Sequence, residues 1–204
     1  MDHAPGLAPI EPGDRVAIIG RSGTGKSVLL RAIMSRYSTA ILLDPKRTAD
    51  FGGWAHVEGA HALARDWPRH VARAIARPAL LEDERAWADD VCRHVYRVTR
   101  CAAGLDELPA GVSESRPLVW LDVLLKRGRE LGITTLVATQ RPRRVPLDVI
   151  AQAQHVFAFD VNAPADLAYL RDTLGAYDHP RDPHGFWYWR PGLTAAIECR
   201  AIGT

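Results

Sequence analysis

Residues 18–30 read IIGRSGTGKSVLL: an apolar run, a turn with three glycines, then a lysine and a serine that open an amphipathic stretch. Gly20, Gly25, Lys26 and Ser27 fit the spacing G-x-x-x-x-G-K-[ST], in which backbone N–H groups point inward at phosphate oxygens. The lysine of that pattern reaches the outer phosphates, and the hydroxyl holds magnesium. Ser22, Gly23, Thr24 and Val28 complete the residues expected to touch the nucleotide. The pattern has meaning only between a strand and a helix. Val16 to Ile19 supply a buried strand, and Val28, Leu29, Ala32 and Ile33 give a helical apolar stripe directly after the loop. An α/β fold that binds ATP and Mg2+ is the expectation.

The rest of the chain keeps that alternation. Strand-like runs lie at 16–19, 40–43, 71–76, 101–105, 134–138 and 155–159, and helical periodicity at 26–36, 85–98, 117–131, 147–152 and 164–174. This predicts an α/β architecture, a mostly parallel sheet sandwiched by helices. After Gly175 a proline-rich loop leads to two short β runs around Arg190-Pro-Gly, read as a C-terminal hairpin. Residues 1–204 form a single domain in this reading, with a core at about 14–175 and the loop and hairpin at about 176–204. Trp187, Tyr188 and Trp189 offer either a base-stacking platform or packing for a sheet face; alternation along a strand favours packing. Ala102, Ala103 and Gly104 are small for a buried strand and imply a close neighbour or a twist.

Several classes are excluded by composition. No apolar run approaches the length of a membrane span, and the opening MDHAPGLAPIEPGD lacks a charged n-region and an apolar h-region, so neither a span nor a secretory leader is expected. Cys92, Cys101 and Cys199 are far apart and without metal-ligand spacing, which fits free thiols in a reducing, cytoplasmic setting. The eight histidines are scattered; His179 and His184 stand in a loop with Asp178 and Asp182, and are expected at the surface rather than on a metal. A net charge of +2 announces no nucleic-acid binder, so such a role must rest on local clusters.

A hydrolase with this loop needs a carboxylate to hold the metal and a base to orient water. Asp106-Glu107 ends the strand-like run CAAGLDEL, and strand carboxyl ends face the ligand crevice in such sheets. Asp106 is thus a metal candidate beside Ser27, and Glu107 the base. A glutamate there suits activation of water, which favours hydrolysis over a kinase-like transfer. Thr139-Gln140 ends the strand TTLVA on the same crevice, where Gln140 can donate to the terminal phosphate or the attacking water and report nucleotide state. Arg141, Arg143 and Arg144 crowd the loop just beyond, stiffened by Pro142 and Pro146, and Arg143 and Arg144 are candidate DNA contacts. Lys46 and Arg47, after Asp44-Pro45, form a second basic candidate. Lys126, Arg127 and Arg129 close a helix, where the dipole already favours cations.

GRSGTGKS, LLDPKR, LDEL, LLKRGRELGI, ATQRP and AQAQHVFAF, in this order and spacing, resemble the ATPase core of the FtsK/HerA superfamily of DNA-pumping motors. The similarity covers roughly residues 14–175 and implies a RecA-like P-loop NTPase fold. It implies Asp106 as the magnesium aspartate, Glu107 as the catalytic glutamate and Gln140 as the sensor. It also implies that Arg129, of the Gly-Arg step, is inserted into a neighbouring subunit's site, with Arg127 the weaker candidate. The resemblance further implies double-stranded DNA as partner and a homo-oligomeric ring, a hexamer being the expected size. Larger members carry further domains, whereas a bare motor is similar to the small genome-packaging ATPases of membrane-containing icosahedral viruses. That form implies capsid or portal-vertex partners and a place in the host cytoplasm or at the packaging vertex. A conjugation or plasmid-transfer motor is the near alternative; a nucleotide-dependent switch or scaffold that moves no DNA is the alternative from another class.

Overall fold

The computed structural model describes residues 7–200; the leader-free reading of residues 1–6 and the end of the hairpin segment, 201–204, lie outside them. Among the described residues nine strands form one sheet: β1 (Arg15–Ile19), β2 (Ala40–Leu43), β3 (Ala55–Glu58), β4 (Arg73–Arg77), β5 (Ala102–Asp106), β6 (Thr134–Thr139), β7 (His155–Ala158), β8 (Phe186–Trp189) and β9 (Ile197–Cys199). Their order is β3-β4-β2-β5-β6-β1-β7-β8-β9. The first seven in that order run parallel, and β8 and β9 are antiparallel additions at the β7 edge, the expected hairpin. Six helices accompany them: α1 (Lys26–Met34), α2 (Ala60–Asp66), α3 (Glu84–Val98), α4 (Val119–Arg127), α5 (Asp148–Ala151) and α6 (Pro164–Leu174).

The two faces are covered unequally. Alternate strand residues such as Ile19, Leu43, Ala103 and Val137 join a core with Leu63, Trp87, Leu121, Val149 and Leu170, which come from α2 to α6. Val16, Ile18, Leu42 and Leu136 face the other way, onto Leu29, Leu30, Ile33 and Met34 of α1 alone, helped by Phe51 and Trp54. Tyr188 and Phe186 are buried on that same face, so the aromatic strand β8 is packing, with Trp187 and Trp189 leaning on the opposite core.

The small residues of β5 have a specific cause. A Cβ added to Gly104 would overlap Met34 Sδ, with Leu42 Cδ1 at 3.3 Å, so α1 lies close on β5 only because position 104 carries no side chain. This contact seats the last residue of α1 on the middle of β5.

β3 and α2 have no counterpart among the sequence-based elements. β3 is an edge strand with a single buried residue, Val57, and α2 spans under two turns, so neither repeats a period often enough to register. The long helix expected at 117–131 is α4 followed by a tighter 3-10 turn from Gly128 to Leu131.

Candidate active site

The phosphate loop, residues 20–25, is tied to its neighbouring strands before any ligand arrives. Gly20 N–H donates to the Thr139 carbonyl at 3.0 Å and Arg21 N–H to that of Asp160 at 2.8 Å. Arg21 Nε also pairs with Asp160 Oδ2 at 2.7 Å, and His179 Nδ1 meets Asp160 Oδ1 at 2.6 Å, so the loop is pinned to the end of β7. Gly23 and Gly25 take φ of 81° and 105°, which a side chain resists. Gly25 caps α1 with no side-chain bond and no acid follows in the first turn, leaving that turn's N–H groups free for an anion. Lys26 is buried and its Nζ donates to the Arg21 carbonyl at 3.0 Å. Burial pulls the Lys26 pKa down, opposed by Glu107 and Asp106, while nearby Lys46 adds to the lowering.

Opposite the loop stand the two acids. Ser27 Oγ donates to Asp106 Oδ2 at 3.0 Å, closing a gap of 79 residues in sequence. Burial raises the Asp106 pKa, while the Ser27 hydrogen bond and Lys26 pull the other way. The donors gathered here, a hydroxyl and a carboxylate, are hard oxygens and few. Mg2+ is held in that way when substrate phosphates complete its shell, so these residues fit the expected ion. Glu107 follows at φ 81°, a left-handed backbone rare for a glutamate, with its N–H donating to the Ala138 carbonyl at 3.2 Å. Its carboxylate is held at both oxygens, by Gln140 N–H at 3.3 Å on Oε1 and by Lys46 Nζ at 3.4 Å on Oε2. Lys26, Ser27, Asp106, Glu107 and Gln140 therefore meet around one cleft of about 730 Å³.

The cleft has an apolar half that the sequence reading missed. Val28, Leu29 and Ala32 of α1 face Phe159 and Phe186, whose ring centroids are 5.3 Å apart, and His184 stands nearby in the wall. An aromatic and aliphatic wall beside a phosphate loop is suited to a nucleobase. Only the alternation Phe186-Trp187-Tyr188-Trp189 carried a hint, since residues of one parity share a face. His184, expected at the surface, is exposed at the mouth of this cleft. Among the described residues no group of three or more His, Cys, Asp or Glu side chains is placed to hold a metal.

The remaining basic candidates separate. Lys46 lies in the cleft on Glu107, and Arg47 pairs with Glu58 and donates to the Pro78 carbonyl at 2.9 Å, so both cations have partners within the chain. Arg143 and Arg144 are exposed on a 3-10 turn, Pro142–Arg144, two residues past Gln140, and neither pairs with an acid among the described residues. Arg129 is exposed in the turn before β6, in a shallow recess with Thr99, Arg100 and Gly132. That is the amino edge of the sheet. The six residues of β6 span roughly 20 Å between it and the phosphate loop.

A strand-end acid bonded to the phosphate-loop serine is how an enzyme grips a metal–triphosphate, and the class follows from it: this chain is a P-loop ATPase. A family model described as ABC transporter matches residues 8–107, from just ahead of β1 to Glu107. A curated relative, the tRNA modification GTPase MnmE of Phenylobacterium zucineum (strain HLK1), is 26% identical over 172 residues, 81% of this chain and 35% of that protein. The chain thus spans about a third of that relative's length. The genome packaging NTPase B204 from Sulfolobus turreted icosahedral virus 2, in complex with sulfate, superposes with a TM-score of 0.75 at 14% identity, covering 95% of this chain and 99% of that one. VirB4 of Thermoanaerobacter pseudethanolicus gives 0.62 at 11% identity over 93% and 89%. The pCW3 conjugation coupling protein TcpA, monomer form with ATPgS, gives 0.60 at 16% over 93% and 60%. Likeness at these identities is likeness of fold. Among the described residues no helix is long and apolar enough to cross a membrane.

Proposed function

We propose that this ATPase is a translocase that moves double-stranded DNA, and that its specific task is to package a viral genome into a preformed capsid. The observation that carries the reading is the joining of Ser27 to Asp106, with Glu107 and Gln140 beside them, in a chain whose fold matches a genome packaging NTPase over nearly its whole length. Likeness to VirB4 and to a conjugation coupling protein supports the near alternative, a motor for conjugative DNA transfer.

In this reading the phosphate-loop amides and Lys26 hold the β- and γ-phosphates. Ser27 and Asp106 would hold Mg2+, which when bound neutralises charge on those oxygens. Glu107 takes a proton from water as the water oxygen attacks the γ-phosphorus. The bond from that phosphorus to the bridging oxygen breaks, and ADP and phosphate leave. Gln140, bonded through its N–H to Glu107, is the sensor. It stands two residues from the Arg143-Arg144 turn, which gives nucleotide state a short path to a DNA-binding loop. Arg129 serves the site of a neighbouring subunit in a homo-oligomeric ring, a hexamer in the form expected from sequence, docked on a portal vertex. The work is done in the host cytoplasm or at that vertex. Phosphate release measured with and without double-stranded DNA, over a range of protein concentration, tests the proposal. A motor gives turnover that DNA stimulates and assembly raises; turnover indifferent to DNA would leave a nucleotide switch or scaffold.

A further inference from the structure

Lys46, a candidate for touching DNA, brings its Nζ to 3.4 Å from Glu107 Oε2 at the cleft. Its setting is built rather than incidental. Asp44, 1% exposed at the end of β2, accepts N–H groups from Thr48 at 3.2 Å and Ala49 at 3.0 Å, and Arg77 Nε at 3.1 Å. Arg77 spans to the Ala49 carbonyl at 2.8 Å and closes the turn. A buried acid that accepts three hydrogen bonds in this way fixes residues 44–49 around it. The turn presents Lys46 and Thr48 to the phosphate side of the cleft, opposite Lys26, Ser27 and Glu107.

Two ammonium groups thus face one space. Lys26 and Lys46 both line the cleft that holds Ser27 and Asp106, so two like charges point into the space where a polyphosphate would lie. The contact of Lys46 with Glu107 is long, 3.4 Å, and the lysine side chain is half exposed, so that ion pair contributes little and is readily exchanged. A terminal phosphate entering between the two lysines offers more negative charge than a single carboxylate. We propose that Lys46 is a second phosphate lysine, which leaves Glu107 for the terminal phosphate when a nucleoside triphosphate binds and so frees the carboxylate to accept the proton of water.

This inference rests on the cleft being the nucleotide site, and the experiment keeps the two apart. Binding of ADP and of ATPγS is measured by calorimetry with Mg2+ for the wild type, Lys46→Ala and Lys46→Arg. The same Lys46 substitutions are then repeated in a Glu107→Gln background. Lys46→Ala should weaken ATPγS by about tenfold or more and ADP by less than about twofold, because only the triphosphate carries the group that Lys46 contacts. Lys46→Arg should recover most of the ATPγS affinity, and the selective loss should persist in Glu107→Gln. Equal weakening of both nucleotides, no weakening of either, or a loss that disappears with Glu107→Gln would overturn the proposal. Failure of the wild type to bind either nucleotide would instead overturn the nucleotide site itself.

Discussion

Ser27 and Asp106 are hydrogen-bonded at 3.0 Å although β6 lies between their strands in the sheet. α1, which carries Ser27, lies close on β5, which carries Asp106, and Gly104 makes room for Met34 at the far end of that helix. Gly104→Val should therefore destabilise the fold by about 1–3 kcal/mol through overpacking. Because it pushes on α1, it should also weaken Mg2+-dependent nucleotide binding. Thermal unfolding and nucleotide titration of the same variant check both effects.

Lys26→Ala and Glu107→Gln should fail differently. The first removes the buried cation of the phosphate loop and should abolish nucleotide binding. The second leaves the cradle intact and should bind ATP while lowering turnover by about 10²- to 10⁴-fold, the range for loss of a general base. Binding and phosphate release measured side by side separate the two; full turnover by Glu107→Gln would remove the base from the scheme.

Asp106 carries a pH signature of defined sign. Burial raises its pKa in the folded chain, so the folded state keeps that proton at pH values where the unfolded state has released it. Its contribution to stability is favourable at low pH and declines as pH rises through the window just above the ordinary carboxylate range. Asp106→Asn should thus raise the melting temperature of the nucleotide-free protein near neutral pH and flatten that decline. It should also cost Mg2+-dependent turnover, since the amide cannot replace the carboxylate charge. An unchanged melting curve would show that the buried charge carries no cost.

Replacing Arg143 and Arg144 by Ala should weaken DNA binding alike for all sequences. For every DNA phosphate that an arginine no longer neutralises, the slope of log K against log salt should flatten by about 0.9. Basal turnover should survive, because neither side chain lines the nucleotide cleft. An unchanged slope would move the DNA contacts elsewhere, with Lys46 and Arg47 next in line.

Arg129→Ala should lower turnover and spare ATP binding. Mixing makes the sharper measurement: Arg129→Ala subunits keep an intact site and Glu107→Gln subunits keep the arginine, so the mixture should recover activity that neither has alone. A mixture that stays inactive while assembled would return Arg129 to an ordinary charge at a helix end.

How far the sequence carried depended on the range of the signal. The phosphate loop was legible because its residues are contiguous and each type has a physical role, and Asp106 because strand-end acids in parallel sheets face the crevice. Gly104 was legible as a sign of close packing, though not that Met34 is the neighbour. The contact of Lys46 with Glu107 was not legible, because it depends on Asp44, Arg77 and the turn between them, which come together only in three dimensions. Phe159, Phe186 and His184 come to α1 from separate strands and loops, and nothing local marks them as one wall. β3 was invisible for want of more than one buried residue.

The unequal covering of the sheet bears on where mechanical work leaves the molecule. Leu30 and Met34 of α1 are fully buried, and the helix is the chief cover of its face, wedged into the gap that Gly104 leaves. Close-packed interiors resist displacement, so the helix that grips the phosphates serves as a stator. In the proposed motor, motion driven by hydrolysis is then left to the segment from Gln140 to Pro146 at the carboxyl edge, since Asp44 and Arg77 fix the turn at 44–49. In that reading the stroke is carried by a short loop moving against a fixed helix.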